Sequence, residues 1–200
     1  MTPKQAARRA RIEQAAYEVL GELGYNSASL LAIAKHARAS NETLYNWYGN
    51  KQGLFRSLVA SNAREAAELL ERAAADKSDP IEVLAKLGPV LLGIVTGERA
   101  VMLNRAAAGD VSDTATLGKA IAEAGRETIA PLLRSLLERA RDEGSIKCDD
   151  IAAAADTYFQ LLIGDLQIRR AIGVVGPLSA REIGVRARRA QELFLKLYAA

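Results

Sequence analysis

Cysteine, histidine and tryptophan each occur once in the 200 residues, as Cys148, His36 and Trp47. A lone cysteine cannot close an internal bridge, which excludes a disulfide framework and suits a reducing compartment. A lone histidine cannot build a histidine cluster, so a metal at His36 would need several carboxylates as partners; His36 reads as a surface residue. There is no glycine-rich phosphate loop and no cysteine beside a histidine. The acid pair Asp149-Asp150 sits at a helix start, where satisfying the free N–H groups accounts for it. We expect no enzyme activity, no cofactor and no metal. No apolar run reaches about 18 residues, and the basic N-terminus is not followed by an apolar segment. Neither a signal peptide nor a membrane span is expected, and the location implied is cytoplasmic. Linker-like Gly/Pro/Ser tracts, internal repeats and low-complexity segments are also missing.

Half the residues are apolar, enough for a real core. The formal charge of +3 is uneven: residues 1–51 hold seven Lys or Arg against four acids, and residues 52–200 hold twenty of each sign. A local positive excess favours a polyanionic partner, because phosphate contacts release counterions. Ala, Leu, Arg and Glu dominate and β-branched runs are few, so the fold class expected is all-α.

Pro3 opens a helix whose apolar positions Ile12, Ala15, Ala16, Val19, Leu20 and Leu23 repeat until Gly24. Ser27 or Ser29 can cap a second, short helix, and Ser40 or Asn41 a third, which Gly49-Asn50 ends. A long helix over about 51–75 follows. Asp79-Pro80 starts another, and a short one covers 98–107. Residues 109–113 read as a break, and Thr114 to Arg141 as a long amphipathic stretch kinked or restarted at Pro131. Gly144 ends it. Residues 150–172 are strongly apolar, 173–179 form a turn, and Ser179 with Glu182 makes a capping box for a last helix to about 198. About nine helices result.

Ser29 to Trp47 has helix-turn-helix proportions, with a tight turn at Arg38-Ala39-Ser40. Ala34, Ala37 and Ala39 allow close approach, and Ile33 and Leu44 fill the angle between the helices. The third helix then presents Asn41, Glu42, Thr43 and Asn46 outward, short polar groups able to bond base edges or phosphates in a major groove. Glu42 could accept from a cytosine amino group or only repel phosphate. Tyr45 and Tyr48 either offer hydroxyls to the DNA backbone or serve as core, and Trp47 reads as core sealing the junction with the fourth helix. Lys51, at a helix start, could share a phosphate with free backbone N–H groups. Arg8, Arg9 and Arg11 form either a solvated face or an arm touching phosphates.

The stretch "SLLAIAKHARASNETLYNWYGNKQGLF" (29–55) resembles the DNA-binding segment of TetR-family transcriptional regulators. Ile33-Ala34, Ala37, Ser40, Thr43-Leu44-Tyr45, the aromatic Tyr48, Lys51 and Leu54 match, preceded by Gly24-Tyr25. The resemblance implies that Ser40, Thr43, Tyr45, Tyr48 and Lys51 face DNA, with Ser29 near a phosphate. It departs at Arg38, where the family usually has glycine, and at Trp47-Tyr48, where it usually has His-Phe. Arg38 therefore either adopts strained geometry or the turn avoids positive φ, and in either case it adds a charge near DNA.

The division expected is a DNA-binding domain at 1–50 and a larger helical effector-binding and dimerisation domain at 51–200. In the latter, Glu98, Asn104, Arg105, Tyr158, Gln160 and Asp165 are candidate polar groups in an apolar pocket for a small organic effector. The segment "LLIGDLQIRRAIG" (161–173) also resembles the C-terminal domain of AefR-like regulators. Apolar faces at 151–172 and 180–198 suit a two-fold four-helix homodimer interface, which would match a palindromic operator on double-stranded DNA. The expected function is a sequence-specific repressor released by a small organic ligand. The rival is a helical protein-interaction module without sequence-specific DNA binding.

Overall fold

The computed structural model describes residues 2–111, 115–123 and 128–199. It is all-helical: α1 (Pro3–Ser27), α2 (Leu30–His36), α3 (Asn41–Tyr48), α4 (Lys51–Ala75), α5 (Pro80–Thr96), α6 (Glu98–Asp110), α7 (Thr116–Glu123), α8 (Ala130–Asp142), α9 (Ile151–Ile163), α10 (Leu166–Ala171) and α11 (Ala180–Tyr198). Among the described residues there is no strand, only one isolated antiparallel bridge between Ile146 and Ala199.

The excess over nine helices has local causes. Gly164, at φ +53°, ends α9 and splits the apolar stretch 150–172 in two. The stretch expected from Thr114 to Arg141 divides into α7 and α8. Thr114, residues 112–113 of the expected break, and residues 124–127 lie outside the described residues. Pro131 falls in the first turn of α8, where a missing N–H costs nothing. Gly109 and Asp110, placed by the sequence in a break, close α6.

The capping serines act as their spacing predicts. Ser29 Oγ accepts from Ala32 N, Ser40 Oγ from Thr43 N, and Ser179 and Glu182 form a reciprocal capping box on α11. Thr2 and Gln5 form a second such box on α1.

Two compact units result, Met1–Ser61 with Met102–Ala122, and Asn62–Val101 with Glu123–Ala200. Each of α4 and α6 begins in one unit and ends in the other. In the first unit, Ile12, Ala16, Ile33, Leu44, Leu54, Phe55 and Leu58 are buried. Two residues assigned to this core by the sequence are not in it: Leu23 is 50% exposed and Trp47 39% exposed. Leu23 sits just before Gly24, whose φ of +71° breaks the helix and ends the buried stripe. Asp110 is fully buried, and its carboxylate accepts from Leu117 N at 3.1 Å.

The second unit packs α11 on α5 and α9, with α8 against α9 and α5. Its core is centred on Leu84, Leu87, Leu92, Leu133, Tyr158, Leu162 and Phe194. Buried Arg170 holds the α5–α6 corner. Its guanidinium donates to the Thr96 carbonyl at 2.9 Å, the Val175 carbonyl at 3.1 Å and Glu98 Oε1 at 2.6 Å. Arg186 closes the C-terminus of α9 by donating to the Leu162 and Ile163 carbonyls.

Candidate nucleic-acid interface and effector pocket

The turn between α2 and α3 decides how α3 is presented. Arg38 lies at φ +50°. Arg38 N donates to Lys35 O and Ala39 N to Ala34 O, the paired bonds of a Schellman helix end, which needs a left-handed residue at this position. Ile33 and Leu44, both fully buried, fill the angle between the helices. The sequence left strain or avoidance open at Arg38; the structure has the left-handed geometry.

On α3, Glu42, Tyr45 and Asn46 are exposed and Thr43 is half-buried. Asn41 is not presented outward as the sequence suggested: it is half-buried, with its side-chain oxygen buried and without a hydrogen-bond partner among the described residues. The Thr43 hydroxyl has company the sequence did not reveal. Arg8 Nη2 donates to Thr43 Oγ1 at 2.8 Å, and Ser40 Oγ lies 2.7 Å from the same oxygen. The Arg8 guanidinium also lies 5.6 Å from the centre of the Trp47 ring. Trp47 is thus a platform for Arg8 and an edge-on neighbour of Tyr48, 6.4 Å between ring centres, rather than a core residue.

Tyr48 does not share the exposed face with Tyr45. Its hydroxyl is buried and finds no hydrogen-bond partner among the described residues. Burial pushes its pKa up, Glu13 adds to this and Arg9 opposes it. Its side chain borders a groove with Gln5, Arg9 and Ser57, and the turn from α3 into α4 is tight. Gly53 lies so close that a Cβ there would stand 2.0 Å from the Tyr48 carbonyl oxygen.

Lys51 is also engaged. Its ammonium donates to the carbonyls of Tyr25 and, at 3.4 Å, Asn26, and lies 4.0 Å from the Tyr25 ring centre. It therefore closes the C-terminal end of α1, where a cation meets the negative end of the helix dipole. The first turn of α4 is capped instead by Asn50, whose Oδ1 accepts from Gly53 N.

Arg9 ties α1 to α4: it donates to Glu13 at 3.0 Å and to Ser57 Oγ at 2.8 Å, and Ser61 Oγ donates to Glu13 at 3.0 Å. A groove of about 420 Å³ is lined by Gln5, Arg9, Trp47, Tyr48, Gly53 and Ser57. His36 is exposed and pairs with Glu18 at 2.8 Å. No group of three or more potential metal ligands occurs among the described residues.

In the second unit a concavity of about 440 Å³ is lined by Pro89, Val90 and Ile94 on α5, Asn62 and Glu65 on α4, and Glu98 and Arg99 on α6, with Gly93 and Gly97. Of the six residues expected to line a pocket, Glu98 alone borders this one. Asn104 and Arg105 belong to the first unit. Tyr158 is fully buried, its hydroxyl donating to the Leu84 carbonyl at 3.1 Å. Gln160 and Asp165 are exposed. Cys148 is half-buried, and burial pushes its thiol pKa up, which disfavours the reactive thiolate.

Residues 12–58 match the family model described as bacterial regulatory proteins, tetR family. Residues 82–200 match the C-terminal domain of AefR-like transcriptional repressors, a TetR-family model. The chain belongs to the TetR family. Among TetR structures, one described as a TetR-family transcriptional regulator from Mesorhizobium loti MAFF303099 is 25% identical with a TM-score of 0.80, each chain covered completely. A TetR regulator from Agrobacterium tumefaciens is 28% identical with a TM-score of 0.74, over 100% of this chain and 96% of that one. The regulator UidR of Escherichia coli K12 is 32% identical over 107 residues, so the match spans about half of each protein, 50% of this chain and 51% of UidR. No single helix among the described residues is long and apolar enough to cross a membrane.

Proposed function

We propose that the chain is a homodimeric, sequence-specific DNA-binding repressor, released from its operator by a small organic ligand. The observation that carries this reading is the face of α3. A two-turn helix projects Glu42, Tyr45 and Asn46 and carries the half-buried Thr43, with Ser40 at its start and the guanidinium of Arg8 alongside. A major groove about 12 Å wide admits such a helix, and short polar side chains at its N-terminal end can reach base edges. Tyr45 supplies a hydroxyl to the DNA backbone, and Arg38 and Ser29, at the two ends of α2, face phosphates. Lys51 and Tyr48 act from behind this face, Lys51 by holding the end of α1 and Tyr48 by seating α3 on α4.

Residues 1–50 form the DNA-binding part and 51–200 the effector and dimerisation part. The concavity bordered by Asn62, Glu65, Glu98 and Arg99 over Pro89, Val90 and Ile94 has the size and the mixed lining of a small-molecule site. Because α6 starts at Glu98 and α4 carries Asn62 and Glu65, ligand contacts fall on helices that continue into the unit bearing α3. A ligand then shifts DNA affinity by the difference in its own affinity for the two states. Dimerisation uses the helices over 151–172 and 180–198; on α11 the exposed Val185 and Leu197 are apolar surface that a partner copy would cover. Two-fold pairing would set the reading helices about one DNA turn or more apart and match a palindromic site. A cytoplasmic location accompanies this role.

Selection from a random duplex pool tests the reading. A recovered two-fold motif, with binding that weakens steeply as salt rises, is expected. Recovery of no preferred sequence would instead favour a helical protein-interaction module.

A further inference from the structure

Thr43 is held by two neighbours that constrain what its hydroxyl can do. Its oxygen accepts from Arg8 Nη2 at 2.8 Å and lies 2.7 Å from Ser40 Oγ, which itself accepts the Thr43 backbone N–H at 3.2 Å. A threonine hydroxyl has two lone pairs and one proton, and a guanidinium can only donate. One lone pair is therefore committed to Arg8. A cation bonded to the oxygen also makes that oxygen a poorer acceptor and its O–H a better donor. Either hydroxyl can donate in the Ser40–Thr43 contact; with Ser40 donating to the second lone pair, the Thr43 proton is left free for a partner outside this cluster. Arg8 is steadied on the Trp47 ring, from which it reaches across to α3.

We propose that Arg8 is a positioning residue for specificity, orienting Thr43 as a hydrogen-bond donor so that it reads an acceptor-bearing base edge. This rests on α3 being the DNA-reading helix. The edges that fit are guanine O6 or N7, adenine N7 and thymine O4; the cytosine amino group, itself a donor, is disfavoured. The pairing spans 35 positions of sequence, within one compact unit.

The test is duplex selection with the full chain and with Arg8→Ala, Arg8→Lys, Thr43→Val and the double variant Arg8→Ala/Thr43→Val. The unmodified protein should demand an acceptor edge at one position of each half-site. Thr43→Val and Arg8→Ala should each reduce discrimination at that same position by about tenfold, the scale of one lost base contact. The double variant should lose no more than either alone, because both act through one hydroxyl. Arg8→Lys keeps the charge, so it should retain the salt dependence while losing part of the discrimination; it serves as the test should Arg8→Ala fail to fold. If Arg8 variants weaken all duplexes equally and leave the base preference unchanged while Thr43→Val alters it, this inference is wrong and the DNA-reading role stands. If the unmodified protein enriches no sequence, the DNA-reading role itself is wrong, and this inference with it.

Discussion

Replacing Arg38 with glycine should stabilise the first unit, and its size can be worked from the backbone. Arg38 lies at φ +50° because the helix end of α2 requires it. An L-residue with a Cβ in the left-handed region costs about 1–2 kcal/mol relative to the right-handed one. Glycine relieves this but loses about 0.5–1 kcal/mol more conformational entropy on folding. The net gain for Arg38→Gly is about 0.5–1 kcal/mol. Arg38→Ala separates backbone from charge: it keeps the Cβ and removes the guanidinium, so it should leave stability within about 0.5 kcal/mol of the unmodified protein. Trp47 is the only tryptophan and lies in this unit, so its fluorescence during urea unfolding reports the unit directly. Both variants should also bind DNA less steeply with salt if the Arg38 charge meets a phosphate. Equal stability gains from Arg38→Gly and Arg38→Ala would refute the backbone reasoning, since only the charge would then matter.

Gly53→Ala should destabilise the same unit by about 1–3 kcal/mol, the cost of overpacking, because the new Cβ would meet the Tyr48 carbonyl; Gly118→Ala in α7, with nothing near its Cβ position, should instead gain about 0.5–1 kcal/mol, both by urea unfolding. Lys51→Ala should lose about 1–2 kcal/mol of stability in the Trp47 signal by freeing the end of α1, and weaken binding to all duplexes similarly. Arg170→Met should cost the second unit about 2–3 kcal/mol by leaving the Thr96 carbonyl unpaired, seen as an earlier urea transition in circular dichroism. The Ser179 hydroxyl and backbone N–H hold the Glu182 carboxyl below its ordinary pKa. The capping contribution is therefore present above the unfolded value and lost as pH falls through the lower folded one. Acid titration of helicity should show a difference between the protein and Glu182→Gln at neutral pH that vanishes in acid.

Features set by neighbours along the chain were legible in the sequence. Ser29, Ser40 and Ser179 cap the helices their spacing indicated. The mismatch of Arg38 with a glycine position raised positive φ as one of two options, and the left-handed one is realised. Features set by distant neighbours were not. Trp47 looked like core because large aromatics usually are, yet its environment depends on where Arg8 and Tyr48 lie. Leu23 continued the apolar repeat numerically, and the break at Gly24 turned it outward. Lys51 matched a phosphate-facing position, but the carbonyls of the kinked α1 end reach it first. The Arg8–Thr43 bond had a faint sign in the basic start of the chain, with nothing to say which arginine meets which side chain. The concavity at Asn62, Glu65 and Glu98 draws on three helices, whereas the candidate residues were picked from polarity alone.

The central claim, that α3 reads DNA sequence, is tested most directly by one comparison. The affinity of the full chain for its selected duplex is measured against a shuffled duplex of equal length and composition at the same physiological salt. A preference of about 10³-fold or more for the selected duplex is expected. Equal affinity for the two would contradict the account.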